Sequence, residues 1–279
     1  MVSGMADHVA DYRTQGYAIV RGVFSAGEIA TIGRAIDQIY AEGVAHARSY
    51  RHGNLFYTVV AAPDGKPHVP MAQWPSYHQP VLNAVRTDAR YLEILEPLIG
   101  RDLKQIINQL HWKLPHSRGD FAWHQDSRFR RPAAAYRNLA TSYVQTGLAI
   151  DPHNPFTGGM RFVPGSHRQG ALNLDTTSEV LGNAPDDRAL EVAGLSPDAQ
   201  INLVLEPGDI ALWNPYLVHA SGLNASNHLR RLYINGYVRA ADCDRGEWAF
   251  RDGKPVAFGP VQQLVHFEEL RNRSEPHYV

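Results

Sequence analysis

The stretch Ile201-Asn-Leu-Val-Leu-Glu-Pro-Gly-Asp-Ile-Ala-Leu-Trp213 places two short β-rich runs, 201–205 and 209–213, on either side of a turn. In Glu206-Pro-Gly-Asp209, proline at the second position and glycine at the third suit a type II β-turn. Short strands that reverse at Gly/Pro turns are typical of β-sandwiches and barrels. This stretch therefore predicts a mainly β fold.

The same character extends outward from this stretch. Further β-rich runs cover 17–24, 104–113, 141–150, 160–163, 217–220 and 231–239. Ser25 and Glu28 have the spacing of a capping box, and isoleucines at helical spacing predict a helix to about Glu42. A second helical pattern covers roughly 79–99. We therefore expect a mainly β protein with flanking helices, a double-stranded β-helix (jelly roll, cupin-like).

A chain of 279 residues fits one large β domain. We expect a single domain over 1–279, with a core barrel at about 104–240, N-terminal helices and a lid in 1–103, and a C-terminal extension in 241–279. Aromatic residues in the loop-like segment 44–78 favour a place beside the substrate. The polar segment 168–200 is equally consistent with a lid and with a surface excursion.

Composition limits the classes of function. The net charge of −1 provides no basic field for nucleic acid. The first seven residues lack the basic and apolar regions of a signal peptide, and no run approaches the roughly 18 apolar residues of a membrane span. Cys243 is the only cysteine, which excludes an intrachain disulfide and fits a reducing compartment. We expect a cytoplasmic protein that acts on a small molecule.

The segment Phe121-Ala-Trp-His-Gln-Asp126 carries a candidate metal motif. In an extended strand the side chains at i and i+2 share a face, so His124 and Asp126 can reach one metal. A distant histidine would complete a facial triad, which leaves adjacent positions on Fe(II) for a chelating cosubstrate and O₂. His219, at the end of a predicted strand, is the candidate third ligand. Alone, His-x-Asp is a weak signal in a chain with 14 histidines.

Arg230 follows His219 by eleven residues. A 2-oxoglutarate carboxylate remote from the iron needs a permanently charged bidentate partner, and the planar fork of an arginine supplies one. Ser221 can add a hydroxyl donor to the same carboxylate. Arg230 and Arg231 are adjacent, so in a strand they should face opposite sides and only one can point inward.

Several motifs follow one another in a recognisable order. They are Trp123-His-Gln-Asp126, Gly158-Gly-Met-Arg-Phe-Val-Pro-Gly-Ser-His167, Glu206-Pro-Gly-Asp209, and His219-Ala-Ser-Gly222 with Arg230. In order and spacing the chain resembles the phytanoyl-CoA dioxygenase family of Fe(II)/2-oxoglutarate oxygenases over about 104–240. The resemblance implies a double-stranded β-helix. It further implies iron bound by His124, Asp126 and His219, and 2-oxoglutarate bound by Arg230 with help from Ser221. The choice of Arg230 over Arg231 rests on the family spacing.

The resemblance also suggests further contacts. Gln109, Gln125 and Thr157 are secondary candidates for the cosubstrate, and Gln109 lies four residues before the family-like Lys113. For the substrate, the candidates are Arg128, Phe129, His111 and Trp213. The basic run 127–131 is either a solvated rim or a contact for an acidic or oxygen-rich substrate. Related halogenases have a small residue in place of the carboxylate ligand, so the retained Asp126 argues against halogenation.

The predicted activity is hydroxylation of a small organic metabolite with Fe(II), 2-oxoglutarate and O₂, releasing succinate and CO₂. The cofactors carry the hard chemistry, and the pocket selects the C–H bond that is presented. The same site could desaturate, epimerise or close a ring. A zinc-dependent hydrolase remains an alternative, because two histidines and a carboxylate can hold zinc. A non-catalytic small-molecule binding barrel is the other. Arg230 and the jelly-roll pattern favour the oxygenase.

Overall fold

The structure, a computed structural model, describes residues 8–62, 64–117, 119–174, 180–263 and 275–279. Its helices are α1 His8–Gln15, α2 Ala26–Ala45, α3 Pro80–Arg86, α4 Ala89–Ile99, α5 Leu139–Ser142 and α6 Arg188–Val192. Its strands are β1 Tyr17–Val20, β2 Tyr50–His52, β3 Leu55–Ala61, β4 Pro67–Gln73, β5 Leu103–Lys113, β6 Phe121–His124, β7 Tyr143–Ala149, β8 Met160–Phe162, β9 Ile201–Asn202, β10 Ile210–Trp213, β11 His219–Ser221, β12 Arg230–Arg239, β13 Glu247–Arg251, β14 Lys254–Pro255 and β15 His277–Tyr278. Strands predominate and helices flank them, as predicted. Among the described residues, no helix is both long and apolar enough to span a membrane.

Packing groups the chain into two compact units, each assembled from three segments. The first unit comprises Met1–Phe24, Trp112–Arg130 and Gly147–Leu232. The second unit comprises Ser25–His111, Arg131–Thr146 and Tyr233–Val279. Strands β5, β7 and β12 have residues in both units. The predicted division into core barrel, N-terminal lid and C-terminal extension remains a prediction, and residues 1–7 and 264–274 of it lie outside the described residues.

The first unit contains an antiparallel four-stranded sheet with the order β6-β11-β8-β9. Side chains alternate between its faces. One face packs on an apolar cluster formed by Trp123, Val163, Leu174, Leu190, Leu195, Val218 and Ala220. Because Trp123 and Ala220 point into this cluster, their neighbours His124 and His219 point to the other face. In the same unit β1 pairs antiparallel with β10, with Tyr17 opposite Trp213.

The predicted turn Glu206-Pro-Gly-Asp209 is present in this unit. Gly208 has φ of +97°, as the third position of a type II turn requires. The amide of Asp209 donates to Glu206 O at 3.0 Å, which closes the turn. Strand β9 is shorter than the predicted run 201–205. Beyond Asn202 the Leu203 amide still donates to Met160 O at 2.9 Å, and Leu205 forms an isolated bridge to His153.

The second unit contains the antiparallel series β5-β4-β3-β2-β15, and β13 pairs with the start of β5. Helix α2 begins at the predicted capping box, in which Ser25 and Glu28 bond reciprocally. The helical pattern 79–99 is two helices rather than one. They are separate because the Asp88 side chain accepts from the Arg90 amide and starts α4 anew. The loop-like segment 44–78 contains β2, β3 and β4. Two prolines within β4 and the glycines of the intervening turns obscured the strand pattern.

Candidate active site

His124 and His219 are directly opposite one another on neighbouring antiparallel strands, β6 and β11. Side chains that oppose each other in such a pair lie close together on one face. Accordingly, the two imidazole rings have centroids 4.1 Å apart. Both residues are buried. The predicted position of His219 at the end of its strand is wrong, since the residue opens β11. Strand pairing thus joins two histidines that are 95 positions apart in sequence.

Asp126 follows β6 and begins a short 3₁₀ turn, Asp126–Phe129. Gln125 between them is extended, with φ −118° and ψ 134°, so Asp126 returns to the face of His124. One carboxylate oxygen, Oδ1, lies 3.9 Å from His124 Nε2. The other, Oδ2, lies 3.9 Å from His219 Nε2. The carboxylate therefore faces both imidazoles with a different oxygen.

Hydrogen bonds orient both imidazoles for metal ligation. His124 Nδ1 donates to Ala122 O at 2.7 Å, and His219 Nδ1 donates to Leu217 O at 2.9 Å. These bonds place a ring proton on Nδ1 and direct Nε2 of each ring toward Asp126. Burial, and secondarily the neighbouring His219, lower the pKa of His124 to about 3. His124 is therefore neutral at ordinary pH, as a metal ligand must be.

Asp126 remains ionised despite its burial. Burial by itself would raise its pKa, but His219, His124 and Arg130 outweigh that effect, and the pKa is lowered. Trp213 also contributes, because its indole N–H donates to Asp126 Oδ2 at 2.8 Å. The site thus has two imidazole nitrogen donors and one anionic oxygen donor.

This donor set fits a metal ion. One ligand atom from each of His124, Asp126 and His219 lies within 4.8 Å of the other two, and all three residues are buried. Two imidazoles and one carboxylate on one side form the facial arrangement of non-heme Fe(II) oxygenases. Among the described residues, no other group of three histidine, cysteine or acidic side chains meets the same spacing.

Arg230 and Arg231 have different environments at the start of β12. Arg231 forms a bidentate pair with Asp151, with Nε and Nη2 at 2.9 and 2.8 Å from the two carboxylate oxygens. Arg230 is buried, and its Nη2 donates to Gly158 O at 2.8 Å. Its Nε has no hydrogen-bond partner among the described residues. Burial lowers the pKa of Arg230 to about 10, so the guanidinium keeps its charge at neutral pH. Arg230 is thus the arginine that has donor capacity left for an anion.

Lys113 and Ser221 are connected in the same unit. Lys113 Nζ donates to Ser221 Oγ at 2.8 Å and also to Gly222 O. Burial, followed by the like charge of Arg230, lowers the pKa of Lys113 well below its ordinary value. Ser221 is the next residue but one after His219, on the same face of β11. This connected group of cations and a hydroxyl would be stabilised by an anion. In the sequence, Lys113 served only as a reference position for Gln109. Its contact with Ser221 could not be predicted, because the two residues come together only in the folded chain.

The other predicted cosubstrate contacts have structural partners of their own. The Gln125 amide donates to Gly170 O and Tyr216 O and accepts from the Leu172 amide. The Thr157 hydroxyl is part of a capping box with Asn154. Gln109 and His111 lie in the second unit, where Gln109 Oε1 is 3.2 Å from His111 Nε2. A role of these residues in cosubstrate or substrate binding remains a prediction.

The predicted substrate residues on the first unit separate into two kinds. Phe129 is 40% exposed, and its ring centroid lies 5.9 Å from that of His124. Arg128 is near enough to His124 to affect its pKa. Trp213, by contrast, is 1% exposed and holds Asp126. The structure therefore gives Trp213 a role in orienting the carboxylate, which sequence reasoning missed, and its substrate role stays a prediction. An indole at a strand end carries no sequence signal for that bond.

Comparisons with known proteins agree with this geometry. The family profile described as phytanoyl-CoA dioxygenase matches residues 12–232. The dioxygenase lolE1 of Epichloe uncinata is 29% identical over 58% of this chain and 56% of its own length, so the alignment spans just over half of that relative. A probable alpha-ketoglutarate-dependent hypophosphite dioxygenase of Stutzerimonas stutzeri is 25% identical over 84% of this chain and 79% of its own.

A solved structure shows the fold. The epimerase SnoN, in complex with Fe³⁺, alpha-ketoglutarate and nogalamycin RO, superimposes with a TM-score of 0.61. The likeness covers 94% of this chain and 99% of SnoN, at 21% identity. It confirms the predicted double-stranded β-helix, a cupin-like jelly roll. The chain belongs to the phytanoyl-CoA dioxygenase family of non-heme iron, 2-oxoglutarate-dependent oxygenases.

Proposed function

We propose that this protein hydroxylates a small, anionic organic metabolite, with iron held by His124, Asp126 and His219 and 2-oxoglutarate held by Arg230. One observation carries the proposal. The same unit contains a buried His-Asp-His triad and a buried arginine, Arg230, whose Nε has no hydrogen-bond partner among the described residues. Bound Fe(II) and 2-oxoglutarate together activate O₂ for attack on an unactivated C–H bond. Succinate and CO₂ are the coproducts.

The protein's own residues orient and isolate the reacting groups. Ala122 O and Leu217 O fix the two imidazole rings, and the Trp213 indole fixes the carboxylate. Such outer contacts hold ligands in place before the metal arrives. Arg230 and Lys113 would neutralise the carboxylate of the cosubstrate remote from the metal, and the Ser221 hydroxyl would donate a hydrogen bond to it. Because all of these side chains are buried, the charge pairs would form away from water and be correspondingly strong.

The anionic character of the substrate is proposed from the basic run after Asp126. Arg130 is 3% exposed and acts electrostatically on Asp126, while Arg128 acts on His124. Two guanidinium groups near the triad favour a substrate that carries carboxylate or phosphorus oxyanion groups, which arginine binds in a bidentate manner. The relative named for hypophosphite, itself a phosphorus oxyanion, supports the same chemistry. Phe129 would cover the apolar part of the substrate.

A second reaction outcome has one observation in its favour. The structural neighbour SnoN is an epimerase, so removal of hydrogen at this type of site can lead to a product other than an alcohol. Epimerisation, desaturation or ring closure would use the same residues of this chain. A zinc hydrolase would not need an arginine to bind a dicarboxylate cosubstrate, and a non-catalytic binding barrel would not need the metal triad. Both alternatives therefore explain the site less well. The family membership also opposes them.

The test is a panel of small carboxylates and phosphonates supplied to the protein with Fe(II), 2-oxoglutarate and O₂. We expect succinate release to rise above the substrate-free rate with at least one acid and not with its methyl ester. Mass spectrometry of the product identifies hydroxylation by the gain of one oxygen atom. Hydrolysis with zinc, or absence of 2-oxoglutarate consumption under every condition, would contradict the proposal. Within an active series, Arg128→Gln should raise the KM, whereas Arg131→Gln, at an exposed position, is the control.

A further inference from the structure

His153 is fully buried, and its ring has one satisfied and one unsatisfied nitrogen. The backbone amide of Met160 donates to His153 Nε2 at 2.7 Å. Since a backbone amide can only donate, Nε2 must accept, and the ring proton resides on Nδ1. His153 Nδ1 has no hydrogen-bond partner among the described residues. Within the part of the chain that the structure describes, the ring therefore presents a buried N–H donor without an acceptor, a state that folded proteins rarely leave uncompensated.

The ring cannot easily turn to find another partner. The His153 amide donates to Leu205 O at 2.9 Å, and the Leu205 amide donates to His153 O at 2.8 Å. Together with the bond from Met160, these contacts fix both the backbone and the ring. The next residue, Asn154, is fixed as well, because it caps the turn Pro155–Thr157. The free N–H of His153 is thus held in one direction by the fold.

The charged groups that act on His153 are those that surround the proposed cosubstrate carboxylate. Burial, followed by the charges of Arg230 and then Lys113, lowers the pKa of His153 well below its ordinary value. Arg230 donates to Gly158 O, two residues before the Met160 amide that holds the ring. Met160 is opposite Ser221 in the sheet, and Ser221 accepts from Lys113. His153 is therefore influenced by two buried cations, Arg230 and Lys113. Like His153 Nδ1, Arg230 Nε has no hydrogen-bond partner among the described residues.

We propose that His153 is a further cosubstrate-binding residue, whose Nδ1–H donates to the carboxylate of 2-oxoglutarate that Arg230 pairs with. This inference rests on the proposed function. A neutral imidazole suits the position, because Lys113 and Arg230 already repel each other and a third cation would add to that repulsion. A neutral donor strengthens the hold on the carboxylate without this cost. This role also explains why position 153 is a histidine, since an apolar side chain could fill the same buried space but could not donate a hydrogen bond.

Two substitutions separate this role from a structural one. Gln in His153→Gln can place its carbonyl near the Nε2 position and accept from Met160, but it has no donor at the Nδ1 position. Asn in His153→Asn can place its amide near the Nδ1 position, but it cannot reach Met160. We therefore expect His153→Gln to keep the melting temperature and weaken 2-oxoglutarate binding roughly tenfold or more, as the loss of a hydrogen bond to a charged group implies. His153→Asn should bind 2-oxoglutarate more tightly than His153→Gln despite lower stability.

Calorimetry with the Fe(II)-loaded protein under anaerobic conditions measures the Kd without turnover. 2-Oxopentanoate, which has a methyl group in place of the distal carboxylate, should bind wild type and His153→Gln equally. If His153→Gln retained wild-type affinity for 2-oxoglutarate, or if both ligands lost affinity equally, His153 would have only a structural role. That result would leave the proposed function intact. Failure of the wild-type protein to bind 2-oxoglutarate at all would overturn both proposals.

Discussion

The indole N–H of Trp213 donates to the same oxygen of Asp126, Oδ2, that faces His219 Nε2 at 3.9 Å. Trp213 ends β10, Asp126 follows β6 and His219 opens β11, so three separate segments of the first unit meet at this oxygen. The bond occupies one lone pair of the carboxylate and fixes the plane of the group. It thereby limits the directions from which Asp126 can bind a metal.

Removal of this bond should weaken iron binding. Trp213→Phe keeps an aromatic ring in the buried position but has no N–H donor. We expect a loss in Fe(II) affinity of roughly 10- to 100-fold, the usual effect of losing an outer hydrogen bond to a ligand. Trp123→Phe is a matched control, since Trp123 is also buried and donates to a carboxylate outside the triad, Asp187, at 3.2 Å. Metal titrations that showed equal losses in the two variants would rule out a specific role for Trp213.

Each ligand of the triad should be essential. His124→Ala, Asp126→Ala and His219→Ala should abolish 2-oxoglutarate turnover, because a facial triad has no spare ligand. The fold should persist, as the apolar cluster behind the sheet does not include these residues. Succinate release and circular dichroism measured on the same samples separate the two effects. Full activity of one variant with iron bound would remove that residue from the triad.

The two adjacent arginines should differ sharply. Arg230→Ala should raise the Kd for 2-oxoglutarate roughly 30-fold or more, since breaking a buried charge pair costs about 2–5 kcal/mol. Arg230→Lys should recover only part of this, because an ammonium keeps the charge but lacks the planar fork. Iron affinity should change little.

Arg231→Ala serves as the control for this prediction. Its partner is Asp151, so the substitution should lower stability while leaving cosubstrate affinity nearly unchanged. Equilibrium binding and thermal unfolding distinguish these outcomes. A severe binding defect in Arg231→Ala together with a normal Arg230→Ala would show that the roles are exchanged.

Cosubstrate affinity should depend on pH through Lys113. Burial, followed by the charge of Arg230, lowers the pKa of Lys113 well below its ordinary value, and a bound carboxylate should raise it again. Below the lowered pKa the ammonium is already charged and affinity is greatest. Above it, binding must take up a proton, so affinity should fall by up to about tenfold per pH unit until the pKa of the complex is reached.

The pH series is measured as the Kd for 2-oxoglutarate in wild type, Lys113→Arg and Lys113→Met. An arginine stays charged across the range, so Lys113→Arg should show a much flatter profile. Lys113→Met should bind 2-oxoglutarate weakly at every pH, and its Kd should not show the pH-dependent rise expected for wild type. A slope unchanged in both variants would assign the pH dependence to another group.

Local features of the fold were predictable because they depend on neighbours in sequence. The capping box at Ser25 and Glu28 and the turn at Pro207-Gly208 are properties of a few adjacent residues. The pairing of His124 with Asp126 on one face also follows from extended geometry over three residues. The boundaries of helices and strands were predicted less accurately where one segment carried signals for two kinds of structure. Asp88 divides a continuous apolar helical pattern into two helices, and the strands of 44–78 were concealed by prolines and glycines.

The sequence by itself determined the family motifs, the candidate metal ligands and the candidate arginine for the cosubstrate. The tertiary structure alone decided which side chains meet. Arg230 and Arg231 differ because Asp151 forms its bidentate pair with Arg231. The Trp213 indole donates to Asp126, a contact that the sequence does not indicate. Likewise, the donor role of His153 depends on the Met160 amide, which fixes the tautomer. The physical reason is that strand pairing and burial set the position, hydrogen bonding and pKa of each group. Those depend on residues far away along the chain.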